Sequence, residues 1–138
     1  MAADIVSDPA AMMVQMSPSL DDLLWRFVRV EPETAPQLLG GAIATFREDE
    51  GVSAIVPSAI ADELGQAGPD FRRITLKVNS DLEGVGLTAA TSAALTAVGI
   101  ACNMVAALHH DHVFVPAARG KQALSVLEKL SRVAGGAV

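Results

Sequence analysis

The chain has 138 residues, 51% of them apolar and only 4% aromatic, so one small domain or two half-domains must build their core from Ala, Val, Ile, Leu and Met. A net charge of −6 and the lack of tyrosine argue against a general nucleic-acid binder, which needs basic surface and aromatic stacking platforms. A single cysteine, Cys102, excludes an intrachain disulfide and suits a reducing, cytoplasmic setting.

Residues 1–17 have no basic n-region; Asp4 and Asp8 interrupt them and Arg26 is the first cation, so no signal peptide is read. They are expected to form a flexible lead, with Met1 and Met16 both open as the start. "LLWRFVRV" (23–30) has strand composition. "PETAPQLLGG" (32–41) predicts a loop or at most a short helix. "AIATFRED" (42–49) and "VSAIV" (52–56) flank a turn ending in Gly51, as a hairpin does. "PSAIADELG" (57–65) predicts a short helix with Pro57 near its start, Ser58 as cap and Gly65 at its stop.

"FRRITLKV" (71–78) is the clearest strand: Ile74, Leu76 and Val78 face a core, while Arg73, Thr75 and Lys77 face away. "NSDLEGVG" (79–86) leads into an Ala-rich helix that ends at Gly99. "IACNMVAAL" (100–108) and "HVFV" (112–115) predict two strands around the turn "HHD". No charge occurs from Gly84 to Leu108, but scattered Thr, Ser and Asn, and Gly99 between a helix and a strand, make a buried pair of elements the expectation rather than a membrane span. "ARGKQALSVLEKLS" (118–131) predicts an amphipathic helix with Leu124, Leu127 and Leu130 on its apolar stripe, and 134–138 a frayed tail.

"AIVPSAIADEL" (54–64) resembles "VFVPAARGKQAL" (113–124), a weak internal repeat. The expected units are 18–68, abbreviated, and 69–133. Neither shows a convincing last strand after its second helix, so a strand from one is expected to complete the sheet of the other. The halves also differ in charge: residues 1–70 carry −9 and residues 71–138 carry +3, which suits two halves that dock.

Chemistry-bearing residues collect in two places. In 79–86, Asp81 or Ser80 would cap the following helix, while Gly84, Val85 and Gly86 would leave backbone N–H groups open to an anion. The alternative is that the glycines only permit close packing. All three histidines fall in "HHDH" (109–112); adjacent strand residues point to opposite faces, which favours a hairpin tip over a metal site. Cys102, His109 and Asp111 hold the ingredients of a thiol triad, but Cys102 shares the strand parity of Ile100 and Met104 and reads as a core residue. "REDE" (47–50) reads as a solvated hairpin turn, and "RGK" (119–121) lacks a phosphate loop.

The segments "SDLEGVGLTA", "VGIACNMVAA", "HHDHVFVP" and "ATFREDEGVSAIVP" carry a resemblance over roughly residues 22–132 to small bacterial tandem ACT-domain proteins. The resemblance implies an α+β, ferredoxin-like βαββαβ fold of two intertwined ACT-like units. It implies a regulatory, non-enzymatic module without cofactor that binds a small molecule, first of all an amino acid, and pairs as a homodimer. The opposing expectation is a structural or protein-interaction module without a ligand. Because the strand-to-helix loop borders the ligand in ACT domains, the implied binding residues are Asn79, Ser80, Asp81, Gly84, Val85, Gly86, His109 and His110, with no metal. Neither nucleic acid nor membrane is an expected partner.

Overall fold

The computed structural model describes residues 4–136. Two compact units emerge: a nested unit, Asp22–Arg72, and a split unit made of the chain up to Asp21 together with Arg73 onward.

The nested unit has the order β2 (Trp25–Val30), α2 (Ala35–Gly41), β3 (Ala44–Glu48), β4 (Gly51–Pro57) and α3 (Ser58–Glu63), after α1 (Pro9–Val14) and β1 (Pro18–Leu20) of the split unit. Phe71, the first residue of β5 (Phe71–Leu76), pairs with Trp25 and closes the βαββαβ order. Gly51 opens β4 at φ +129°, a conformation that glycine alone adopts easily, so the hairpin turns where the sequence predicts. "PETAPQLLGG" does form a helix over Ala35–Gly41, and Leu38 anchors it against Val28, Ala54, Val56 and Ala61.

Ser58 is not the cap of α3. Pro57 occupies the cap position, and the Ser58 hydroxyl donates instead to Asp70 at 2.7 Å. That carboxylate also accepts from Arg26 Nε (3.1 Å) and Nη2 (2.7 Å), while Arg26 Nη1 reaches Asp62 (2.7 Å) and the Gln66 carbonyl (2.8 Å). The Arg26 side chain is 8% exposed. An alternating strand thus carries one cation inward, and every branch of its guanidinium fork meets an oxygen.

The split unit runs β5, α4 (Leu87–Ala97), β6 (Asn103–Ala106), β7 (Asp111–Pro116), a 3-10 turn and α5 (Gly120–Ala134). Strand β7 lies between β5 and β6. The missing fourth strand is β1: Pro18, Ser19 and Leu20 pair antiparallel with Leu76, Thr75 and Ile74. This gives the ferredoxin-like sheet its full complement, supplied from the N-terminal end of the chain.

Residues 4–17 behave differently from the flexible lead expected over 1–17, whose first three residues lie outside the described ones. Asp8 caps α1 by accepting from Ala11 N–H at 2.9 Å, Pro9 sits at the first helical position, and Met12 and Met16 are 1% and 0% exposed. They join Ile74, Leu76, Leu95, Val113 and Leu127 in one core. The uncharged run 84–108 resolves into α4, a turn at Gly99 and β6. Among the described residues no helix is long and apolar enough to cross a membrane. Of the tail, Ala137 and Val138 lie outside the described residues, as does Met1; α5 itself reaches Ala134.

Candidate functional site

Beyond β5 the chain passes through Val78, Asn79, Ser80 and Asp81 toward α4. Two other segments fix this loop. Val6 N–H donates to the Asn79 carbonyl (2.8 Å) and Asp81 N–H donates to the Val6 carbonyl (2.9 Å), so the N-terminal segment lies along it as a short parallel bridge. The β6–β7 hairpin tip also reaches it: Ser80 Oγ donates to Asp111 Oδ2 (3.2 Å), and His110 Nδ1 lies 3.2 Å from the Val78 carbonyl oxygen.

Neither Ser80 nor Asp81 caps α4. Gly86 holds the cap position at φ +111°, and the Asp81 carboxylate accepts from Glu83 N–H (3.0 Å) in a local turn. The Gly84 N–H, one of three expected to receive an anion, already donates to the Asp81 carbonyl (2.9 Å). Both glycines also admit α1. A Cβ on Gly84 would stand 3.3 Å from Met12 Sδ and 3.0 Å from the Asp81 carbonyl oxygen, and one on Gly86 would stand 3.2 Å from Pro9 Cβ.

Two hollows border the loop. The larger, about 570 Å³, has Asn79, Ser80, Asp81 and His109 on its wall with Ile5 and Leu108. That volume lies within the usual range of small-molecule sites. The smaller, about 130 Å³, is lined by Ser80, Asp81, Gly84 and Gly86 with Met12 and Asp111. Two carboxylates beside the start of α4 oppose an anion there. Val85 and His110 line neither hollow; Val85 is exposed and the His110 ring is turned to the backbone. Asp4, Ile5 and Leu108 were not anticipated. The first two belong to the segment read as a loose lead, although Asp8-Pro9 and the spacing of Met12 and Met16 already signalled a capped helix there.

His112 opens the inward run of β7 and its Nδ1 lies 3.1 Å from Thr75 Oγ1. Burial, then the Arg73 cation and His110, push its pKa below the ordinary imidazole value. The folded state therefore prefers the neutral ring. Its contribution is present above the unfolded pKa of about 6.5 and is lost as pH falls toward the folded value. His112→Gln should make the melting temperature less sensitive to pH between about 7 and 5; identical pH slopes for the two proteins would refute this.

Cys102 packs against the core beside Met104, and burial pushes its thiol pKa up, away from a reactive thiolate. Among the described residues no group of three or more His, Cys, Asp or Glu is placed to hold a metal ion.

A family model described as an ACT domain matches residues 7–70. The crystal structure of a protein of unknown function from Vibrio cholerae, described as a possible transport protein, is 36% identical over 86% of this chain and 92% of its own, with a TM-score of 0.75. The ligand-free regulatory subunit of aspartate kinase from Thermus thermophilus shares the fold at 12% identity, covering 82% of this chain and 95% of its own, with a TM-score of 0.57. Aspartokinase III of E. coli, in complex with aspartate and ADP, does so at 12% identity over 82% of this chain and 32% of its own, with a TM-score of 0.53. No curated protein matches. The matched segment is the nested unit with its N-terminal approach, whereas the sequence resemblance extends over roughly residues 22–132, and the two together span both units. With a βαββα run in each unit, completed by Phe71 in the nested unit and by β1 in the split unit, and a relative of 36% identity along most of its length, the chain belongs to the ACT-domain family.

Proposed function

We propose that the chain is a non-enzymatic, cytoplasmic regulatory module, a tandem pair of ACT units that works without a cofactor and binds a small molecule, first of all an amino acid, in the larger hollow beside residues 79–81. The observation that carries this reading is the composition of that hollow. Asn79, Ser80, Asp81 and His109 stand together on a wall that also carries Ile5 and Leu108. An amino acid offers an ammonium to Asp4 and Asp81, a carboxylate to the His109 imidazole, and a side chain to the apolar part. Aspartate bound to aspartokinase III is a property of that protein; here it supports amino acids as the class to try first. The smaller hollow, with Gly84 and Gly86, is the lesser candidate because its volume of about 130 Å³ falls below the usual range of small-molecule sites.

A thermal-shift screen of amino acids and nucleotides tests this. One ligand at a hundredfold excess over its Kd should stabilise the chain by about 2.7 kcal/mol through mass action. Asp81→Ala should weaken that ligand's binding beyond the roughly 1 kcal/mol that its turn hydrogen bond contributes to the unliganded protein. A chelator should change nothing. If no compound shifts the transition, the ligand reading fails. The exposed side chains of Ile5, Leu82 and Leu108 then favour the second reading, a protein-interaction module.

A further inference from the structure

Residues 4–7 precede the first helix, yet Asp4 and Ile5 build part of the wall of the larger hollow. Val6 supplies their hold on the split unit. It makes the two backbone hydrogen bonds to Asn79 and Asp81, and its side chain packs against the edge of the core. On either side of it Ile5 is 67% exposed and Ser7 is exposed. From Asp8 onward the chain is fixed by other means: Asp8 caps α1, and Met12 is buried in the core. A segment with one anchor and exposed side chains opens locally, whereas α1 opens only with the core. The boundary between the two falls at Ser7 and Asp8.

The hollow receives matching groups from this segment and from the loop beneath it. Asp4 comes from the segment and Asp81 from the loop, and among the described residues no Lys or Arg lines the hollow. Two like charges at one cavity oppose docking of the segment, and a cation between them reverses the sign. Aliphatic side chains repeat the arrangement. Ile5 of the segment, Leu82 of the loop and Leu108 of the hairpin tip all line the hollow, and all three are exposed. A ligand with an ammonium and an apolar body would meet the segment through both kinds of group.

We propose that residues 4–7 are a strap that closes when an amino acid with an aliphatic side chain occupies the larger hollow. This rests on the reading of that hollow as an amino-acid site and adds how its occupancy is passed on. The ammonium bridges Asp4 and Asp81, the ligand's side chain lies against Ile5, and the site is complete only while Val6 keeps its place on the loop. A ligand that binds the closed form alone shifts the strap toward closure, and closure strengthens binding by the same factor. The N-terminal segment is thereby the part of the chain that reports occupancy.

Amide exchange read by NMR on the full chain, with the protein amino acids added one at a time, tests this. An amino acid that raises the melting temperature should also slow exchange of the Val6 and Asp81 N–H groups, by up to about a hundredfold at a hundredfold excess over its Kd. Its N-acetyl derivative, which has no ammonium, should do neither. Val6→Pro removes the donor to Asn79 and should weaken binding of that amino acid by about tenfold. Should that variant fold poorly, Asp4→Asn decides, because Asp4 is exposed and caps nothing in α1. Its two readouts should move in opposite senses. Without the repulsion, Val6 N–H exchange in the unliganded chain slows, while the amino acid binds more weakly. If no amino acid shifts the melting transition, the site reading fails and the strap with it. The site stands and the strap alone is overturned if a bound amino acid leaves Val6 exchange unchanged. The same holds if Val6→Pro binds as the unaltered chain does, or if Asp4→Asn fails to move both readouts.

Discussion

A chain lacking residues 1–16 should lose the fold of the split unit. Met12 and Met16 sit fully inside its core, and β1, which follows them, has only three residues to hold its place against β5. Emptying a methionine site costs roughly 2–5 kcal/mol, so losing two removes about 4–10 kcal/mol. Whole domains are stable by only about 5–15 kcal/mol. Hydrogen exchange read by mass spectrometry should show protection gone from residues 73–136 while Asp22–Arg72 keeps most of its own. Milder variants should grade the effect: Met12→Ala toward the middle of that range, Asp8→Ala near 1 kcal/mol through loss of the α1 cap. A truncated chain with full protection in both units would show that α1 is only an appendage.

Asp70→Ala should be the most damaging single change in the nested unit. It takes away the carboxylate shared by Ser58 and Arg26 and leaves an enclosed guanidinium with Asp62 and the Gln66 carbonyl alone. Removing one partner of such a set harms a fold more than replacing the whole set by apolar groups does. A fall in melting temperature of roughly 10 °C is expected. Acid should expose the same network. The Ser58 hydroxyl, and after it the Arg26 guanidinium, hold the Asp70 carboxyl below the usual carboxylate range. A depressed acid stabilises the fold above its unfolded value of about 3.9, and this contribution is lost as pH falls through the lower folded value. Below about pH 4 the unaltered chain should therefore converge on Asp70→Ala. If the two keep a constant gap from pH 7 to pH 2, the carboxylate is not the stabilising group.

Those two elements differ in how far the sequence revealed them. Strand β5 and the helix α5 were readable because a period of two and a period near 3.6 survive in their apolar positions. Arg26 broke an apolar run and gave no hint of its partners, which come from Asp62, Gln66 and Asp70, far along the chain. Only folding brings such oxygens together. The loop 79–81 and the hairpin tip were readable as polar and Gly-rich, and both border the larger hollow. Spacing to α4 offers Asp81 or Ser80 as a helix cap, but a nearer donor, Glu83 N–H, takes the Asp81 carboxylate and Ser80 turns to Asp111. The N-terminal contribution was hidden for another reason. Six helical residues and three strand residues carry too few periods to stand out, and their burial depends on a sheet more than fifty positions away.

That last dependence has a consequence in time. On the ribosome, Pro18–Leu20 emerges early, yet its partner strand ends at Leu76 and the core around Met12 needs Val113 and Leu127. The nested unit, Asp22–Arg72, is complete before any of these are made, and its contacts are local by comparison. The usual order of synthesis, in which the first residues made are the first to be secured, is reversed. A nascent chain whose residues 22–72 have just cleared the ribosome should hold a folded middle and an unattached leading end, with two methionines waiting for a core that has not yet emerged.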